Sequence, residues 1–127
     1  FIYTTAPPPA IAAASGAALG LLRSEPQRRA RLWENRNHFQ AGLKALGFRL
    51  TDSLSPIIPV LIGDPQKALT MADRLLELGV YAPAIRPPTV PKETSRIRTT
   101  VTSEHTREQL ETVLAAFRKA GQELDLI

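Results

Sequence analysis

The chain has 127 residues, 43% hydrophobic and 22% charged, which is enough to bury one apolar core and excludes a disordered chain. The absence of cysteine excludes disulfides and thiolate metal sites, and two distant histidines do not predict a metal site. The formal net charge is +4, but no aromatic residues interleave with the basic run 23–31, so we expect no nucleic-acid partner. Without an apolar run of membrane-spanning length or a signal peptide, the expected location is the cytoplasm and no membrane partner is expected.

The first part of the chain predicts two helices after a strand-like segment at residues 1–5. Residues 10–22 place apolar and small side chains at helical spacing, with Gly16 and Gly20 lowering helix propensity. Such a helix is expected to be deeply buried or packed on a partner element. Ser24, with Gln27 three residues later, predicts the capping box of a second helix that ends at Gly47.

The rest of the chain alternates short strand-like runs with capped helices. Strands are predicted at 57–62, 80–85 and 96–101, and helices after the cap residues Asp64 and Thr106. Pro59 lacks an N–H donor, so it predicts an edge strand or a bulge. This order of elements indicates an α+β fold, a small, largely antiparallel sheet with helices on one face.

The stretch 86–98 combines stiff backbone with cations. Three prolines between Arg86 and Pro91 predict a rigid, non-helical arm. In the strand that follows, alternation puts Arg96 and Arg98 on the face opposite Ile97. A planar guanidinium suits a carboxylate or a phosphate, so the stretch is interpreted as an anion clamp, with ordinary solvated arginines as the alternative.

No complete catalytic set is visible in the sequence. The four lysines, Lys44, Lys67, Lys92 and Lys119, fall on polar helix faces or in a loop, and no glycine-rich phosphate loop is present. The pair Thr4 and Thr5, just before a helix N-terminus, is the only candidate for a phosphate contact.

Three stretches of the sequence carry a family resemblance: residues 1–10, 84–91 and 94–98, with the 102–106 segment behind the last. Together they resemble the α-oxoamine synthase family of pyridoxal phosphate (PLP) enzymes. The resemblance implies the C-terminal domain of a fold-type I PLP-dependent transferase. Residues 1–24 would be the end of the large cofactor domain and a connecting helix, and residues 25–127 the small α+β domain.

The resemblance also implies roles for four residues. Arg98 is the expected ligand of the amino-acid carboxylate, Arg86 a second arginine near the substrate and acyl group, and Thr89 a residue of the substrate channel. Thr5 is expected to reach the cofactor phosphate of a neighbouring subunit, which implies a homodimer. Glu93 departs from the family, which usually has glycine there.

The implied activity is an acyltransferase that condenses an amino acid, expected to be alanine, with a pimeloyl-type acyl-coenzyme A (acyl-CoA) and releases carbon dioxide, in biotin biosynthesis. Two alternatives stay open: a synthase of the 2-amino-3-ketobutyrate–CoA ligase type, and a non-enzymatic anion-binding module built on Arg86, Arg96 and Arg98. The cofactor lysine is expected to lie before Phe1. The segment is therefore expected to hold no catalytic residue and to be inactive alone.

Overall fold

A computed structural model describes residues 5–127, so all of the predicted strand-like segment except Thr5 lies outside the described residues. The helices and strands of the described part are α1 Pro9–Ser24, α2 Pro26–Ala45, β1 Ile57–Gly63, α3 Pro65–Glu77, β2 Ala84–Ile85, β3 Ser95–Thr100 and α4 Arg107–Glu123. In this part of the chain no helix is both long and apolar enough to cross a membrane.

The three strands form one antiparallel sheet in the order β1-β3-β2. This confirms the predicted α+β class. β1 lies at an edge and its register shifts between Leu61 and Gly63, as Pro59 predicted. The free edge of β1 is partly covered by residues 49–51. The Leu61 N–H donates to the Arg49 carbonyl at 2.8 Å, and the Thr51 N–H donates to the Pro59 carbonyl at 3.2 Å.

The core lies between one face of this sheet and helices α2, α3 and α4. The sheet contributes Ile58, Val60 and Ile97, which are at most 1% exposed. Phe117 of α4 lies at its centre and makes edge-to-face contacts with Phe39 at 6.1 Å and with another aromatic ring of the core. The helices therefore cover only the face of the sheet that carries the aliphatic side chains.

Two predicted helix caps are confirmed. The Asp64 carboxylate accepts the Lys67 N–H at 2.7 Å at the start of α3. Thr106 and Gln109 form the reciprocal capping box of α4, each side chain accepting the other's backbone N–H. Both caps satisfy donors that a helix start leaves without partners.

The predicted cap at Ser24 is wrong. Ser24 belongs to the last turn of α1, and the break falls at Glu25, whose side chain makes no capping hydrogen bond. The physical reason is Pro26, because a proline disfavours helical conformation in the residue before it. Glu25 accordingly has φ −123° and ψ 65°, and α2 starts at the proline.

The predicted strand at 80–85 is too long, since only Ala84–Ile85 pair with β3. The Val80 N–H is not available to the sheet, because it donates to the Leu75 carbonyl at the C-terminal end of α3, at 2.8 Å. Pro83 has no N–H to add to a ladder, although its carbonyl accepts the Arg98 N–H at 3.0 Å.

Helix α1 has no buried residue. Its large apolar side chains, including Ile11 and Leu19, are about half exposed or more, and an added Cβ at Gly16 or Gly20 would meet no atom within 4 Å. Deep burial of α1 within the described residues is therefore wrong. Packing of α1 on another element remains a prediction, as does the domain boundary at residues 24 and 25.

Candidate functional site

The side of the sheet that faces away from the helices carries the arginines. Along β3, Ile97 and Thr99 are buried while Arg98 and Thr100 are exposed and Arg96 is half-buried. This confirms the predicted alternation. We call this side the outer face; its members are Ile57, Pro59 and Leu61 of β1, Ile85 of β2, and Arg96, Arg98 and Thr100 of β3.

Register separates the roles of Arg96 and Arg98. Arg96 lies opposite both Leu61 and Ile85, and directly paired residues in a sheet share a face. Its Nε donates to the Thr94 carbonyl at 2.9 Å, so this side chain is held between two aliphatic neighbours and braces the end of the arm.

Arg98 is placed differently. It lies opposite Pro59, and its N–H donates to the Pro83 carbonyl, so prolines flank it on both neighbouring chain segments. The Arg98 guanidinium makes no hydrogen bond or ion pair with any side chain or carbonyl of residues 5–127. Prolines on both sides and a guanidinium without hydrogen bonds suit an arginine that binds an anion from outside residues 5–127.

The arm between β2 and β3 consists of two local turns. The Thr89 N–H donates to the Arg86 carbonyl at 3.1 Å, across a cis bond between Pro87 and Pro88. The Thr94 hydroxyl and N–H both donate to the Pro91 carbonyl, at 2.8 and 3.3 Å. The predicted non-helical arm is confirmed, and Arg86 and Thr89 are exposed on it.

Arg86 directly follows β2, at the start of the arm. Ile85 pairs with Arg96, so Arg86 is level with Ser95, three positions from Arg98 and thus about 10 Å away along the strand direction. Within residues 5–127 the Arg86 side chain, like that of Arg98, has no ion-pair partner. By register Arg86 is level with the buried Ser95 and not with an outer-face residue, so the described geometry gives each cation a separate position.

Glu93 occupies the residue of the arm with the least common backbone conformation. Its φ is 62°, in the left-handed region that glycine adopts freely and L residues adopt at a cost. The geometry thus gives a physical reason why the family usually has glycine there. It also places an exposed carboxylate two residues before the buried Ser95, on the segment that leads to the arginines.

Thr5 lies on a separate element from the arginines. It is exposed and precedes α1, whose cap residue Pro8 makes no side-chain capping hydrogen bond. The structure therefore places Arg96 and Arg98 on one face of β3, Arg86 at the start of the arm, and Thr5 ahead of α1. All four lysines of the chain are exposed, which matches their predicted polar settings.

Ser95 is a feature that the sequence reasoning missed. It is completely buried, and its hydroxyl has no hydrogen-bond partner among the described residues. The alternation that buries Ile97 also buries the residue two positions earlier, so the same signal could have located it. Gly63, which lies opposite Ser95 after the register shift in β1, has no side chain that could bond this hydroxyl.

Comparison with known proteins places this geometry in a family. The profile of aminotransferase class I and II matches residues 1–117. The chain belongs to the aminotransferase class I and II family. Within this family, the 8-amino-7-oxononanoate synthase of Symbiobacterium thermophilum is 49% identical over all 127 residues, which correspond to 32% of that protein. The chain thus spans about a third of the length of the curated relatives that it matches.

Solved structures of the family share the fold. The serine palmitoyltransferase of S. paucimobilis, solved with bound PLP–myriocin aldimine, superimposes with a TM-score of 0.91 at 36% identity, over 98% of this chain and 32% of that one. The 8-amino-7-oxononanoate synthase of Francisella tularensis gives a TM-score of 0.78 at 29% identity, over 95% of this chain and 35% of that one. These matches confirm the predicted fold, a fragment of that of PLP-dependent fold-type I enzymes.

Proposed function

We propose that this chain is a segment of a PLP-dependent α-oxoamine synthase and that its outer face and arm bind the anionic group of the amino-acid substrate. The observation that carries the proposal is the setting of Arg98, exposed between two prolines with no hydrogen bond to its guanidinium within residues 5–127, with Arg86 at the start of the arm. These two guanidinium groups have no ion-pair partner within residues 5–127, whereas Arg28 and Arg74 are both satisfied by carboxylates.

In this proposal Arg98 is the ligand of the substrate carboxylate. Its fork offers parallel N–H donors that match two carboxylate oxygens, and its charge persists at any physiological pH. The flanking prolines limit movement of the backbone below it. Arg86 supplies the second positive charge at the end of the arm, and Thr89, in the turn that Arg86 begins, lies along the channel by which substrate enters.

PLP would supply the electron sink for carbanion chemistry when bound. The residues present suit part of that cofactor's binding: Thr5 has an exposed hydroxyl ahead of α1 and could hold a phosphate oxygen. None of the four lysines is buried, so none has the desolvated setting that favours a neutral amine. Covalent attachment of the cofactor therefore falls outside this segment in our proposal, and Thr5 would act across a homodimer interface.

Sequence similarity favours one branch of the family. Curated relatives named 8-amino-7-oxononanoate synthase are 42–49% identical to this chain. The solved structures do not separate the branches, since identity is 36% to the serine palmitoyltransferase and 29% to the F. tularensis synthase. A high TM-score reports similarity of the backbone, and a shared backbone does not determine substrate specificity. We therefore propose alanine and a pimeloyl-type acyl-CoA as substrates, with loss of carbon dioxide, in the biotin pathway of the cytoplasm.

Steady-state kinetics of the longer protein that carries this segment would test the proposal. Arg98→Ala should lower kcat/KM for alanine by about 30-fold to several thousand-fold, equivalent to roughly 2–5 kcal/mol, with a much smaller effect when acyl-CoA is varied. Arg98→Lys should restore only part of the loss, since an ammonium lacks the fork.

Two matched variants make the result specific. Arg29→Ala removes an exposed cation of α2 and should leave both parameters unchanged. Arg96→Ala removes the brace on the Thr94 carbonyl and should reduce stability more than it affects alanine binding. Equal losses for Arg98→Ala and Arg29→Ala would remove Arg98 from the site.

A further inference from the structure

A second recess lies away from the arginines, on the helix side of the sheet. It has a volume of about 370 Å³ and is bordered by the segment 79–82, the end of β3 and the first turns of α4. We call it the Tyr81 cleft. Its apolar lining includes Val80, Val101 and Val113, above the buried rings of Phe39 and Phe117. Thr99, which borders it, points to the side of the sheet opposite that of Arg98.

The rim of the cleft holds a fixed hydrogen-bond donor. The Thr102 N–H donates to Nδ1 of His105 at 3.1 Å, and a ring nitrogen that accepts a hydrogen bond carries no proton. In the neutral ring the proton is therefore on Nε2, which has no partner among the described residues. Asn35 holds this loop in place, because its Nδ2 donates to the carbonyls of Thr102 and His105 at 3.1 and 2.8 Å.

His105 also borders a neighbouring polar recess of about 330 Å³. Two arginines line that recess, Arg31 and Arg107, and neither has an ion-pair partner within residues 5–127. Glu34 is the one carboxylate among its lining residues, so the recess as lined is positively charged. The His105 side chain thus lies between the Tyr81 cleft, which has an apolar lining, and this positively charged recess.

We propose that the Tyr81 cleft binds a medium-chain carboxylate, with the hydrocarbon chain in the cleft and the carboxylate on His105 Nε2–H beside Arg107. The volume lies within the roughly 300–1,000 Å³ of small-molecule sites, which combine an apolar lining with a few fixed polar groups. The positive recess next to His105 favours a charged head group over a neutral one. This site is separate from the outer face, and the inference does not depend on the proposed enzyme activity.

Amide NMR titration of the 127-residue chain with octanoate would test the inference, with butyrate and 1-octanol as comparison ligands. Octanoate should shift the amides of Tyr81, Val101 and His105. It should bind at least about tenfold more tightly than butyrate, because each buried methylene adds about a factor of four to affinity. It should also bind about tenfold more tightly than 1-octanol, which lacks the charge.

Variants test the two parts of the site separately: the contacts to the carboxylate and the cleft that holds the hydrocarbon chain. His105→Asn keeps an acceptor for the Thr102 N–H but lacks the Nε2 donor, so it should weaken octanoate about tenfold and leave 1-octanol unchanged. Arg107→Gln should weaken octanoate about threefold. Arg118→Gln, an exposed cation later on α4, should have no effect. Val113→Phe should fill the cleft and weaken octanoate and 1-octanol alike.

Three results would overturn the inference: equal affinity for octanoate and 1-octanol, unchanged octanoate affinity in His105→Asn, or amide shifts confined to Arg96 and Arg98. If Val113→Phe perturbs the fold, the His105 and Arg107 variants still decide the outcome, since neither side chain belongs to the buried core.

Discussion

The two faces of the sheet carry different kinds of side chain. On the inner face Val60 and Ile97 are fully buried against the helices, whereas on the outer face Arg98 is exposed between prolines. Neighbouring residues of one strand thus lie in different environments, because side chains of a strand alternate between its faces. Stability and ligand binding should therefore respond to different substitutions only one residue apart.

The largest expected effect is on the inner face. Ile97→Ala removes a side chain that is 0% exposed and leaves a cavity, which should lower the free energy of unfolding by about 2–5 kcal/mol. Arg98→Ala should change it by no more than about 0.5 kcal/mol, as expected for an exposed residue without contacts. Urea denaturation of the 127-residue chain measures both, and similar losses for the two would contradict the separation of the faces.

Two inner-face hydroxyls sharpen the comparison because they should respond with opposite signs. The Thr99 hydroxyl donates to the Ile58 carbonyl at 2.7 Å, so Thr99→Val should destabilise by about 1 kcal/mol. The buried Ser95 hydroxyl has no partner among the described residues, so Ser95→Ala should stabilise by about 1 kcal/mol. Thermal unfolding decides the signs, and destabilisation by Ser95→Ala would show that its hydroxyl is satisfied.

The smallest effect concerns the arm. Glu93→Gly relieves a positive φ but adds freedom to the unfolded chain, so the net stabilisation should stay below about 1 kcal/mol. Removing the carboxylate should also strengthen binding of anions at the outer face. Glu93→Gln is the matched control: it removes the charge but keeps the backbone cost, so it should improve anion binding without a gain in stability. A loss of stability in Glu93→Gly would mean that the left-handed conformation is not costly here.

Local patterns predicted much of this fold because the deciding contacts are local. Alternation along β3 correctly assigned Ile97 and Arg98 to opposite faces, and the Thr106 and Gln109 spacing gave the start of α4. The error at Ser24 came from reading a capping pattern without giving enough weight to Pro26. The error at 80–85 came from giving too little weight to two local signals: Gly79 ends α3 with the Val80 N–H on the Leu75 carbonyl, and Pro83 has no N–H for a ladder.

The site was predictable only in part. The composition of the arm indicated an anion clamp, but the difference between Arg96 and Arg98 depends on register, which sets Leu61 and Ile85 beside one and Pro59 beside the other. The role of Thr5 depends on atoms outside residues 5–127, so neither the local pattern nor the described geometry fixes it. The Tyr81 cleft joins parts of the chain that are distant in sequence, and no local pattern indicated it.

The most direct test of the central claim compares alanine with alaninamide, which lacks the carboxylate, in the longer protein with PLP bound. Dissociation constants from the absorbance of PLP should favour alanine by roughly 2–5 kcal/mol in the wild type, and Arg98→Ala should reduce that preference below about 1 kcal/mol. An unchanged preference in Arg98→Ala, or its complete loss in Arg86→Ala alone, would contradict the assignment of Arg98 as the carboxylate ligand.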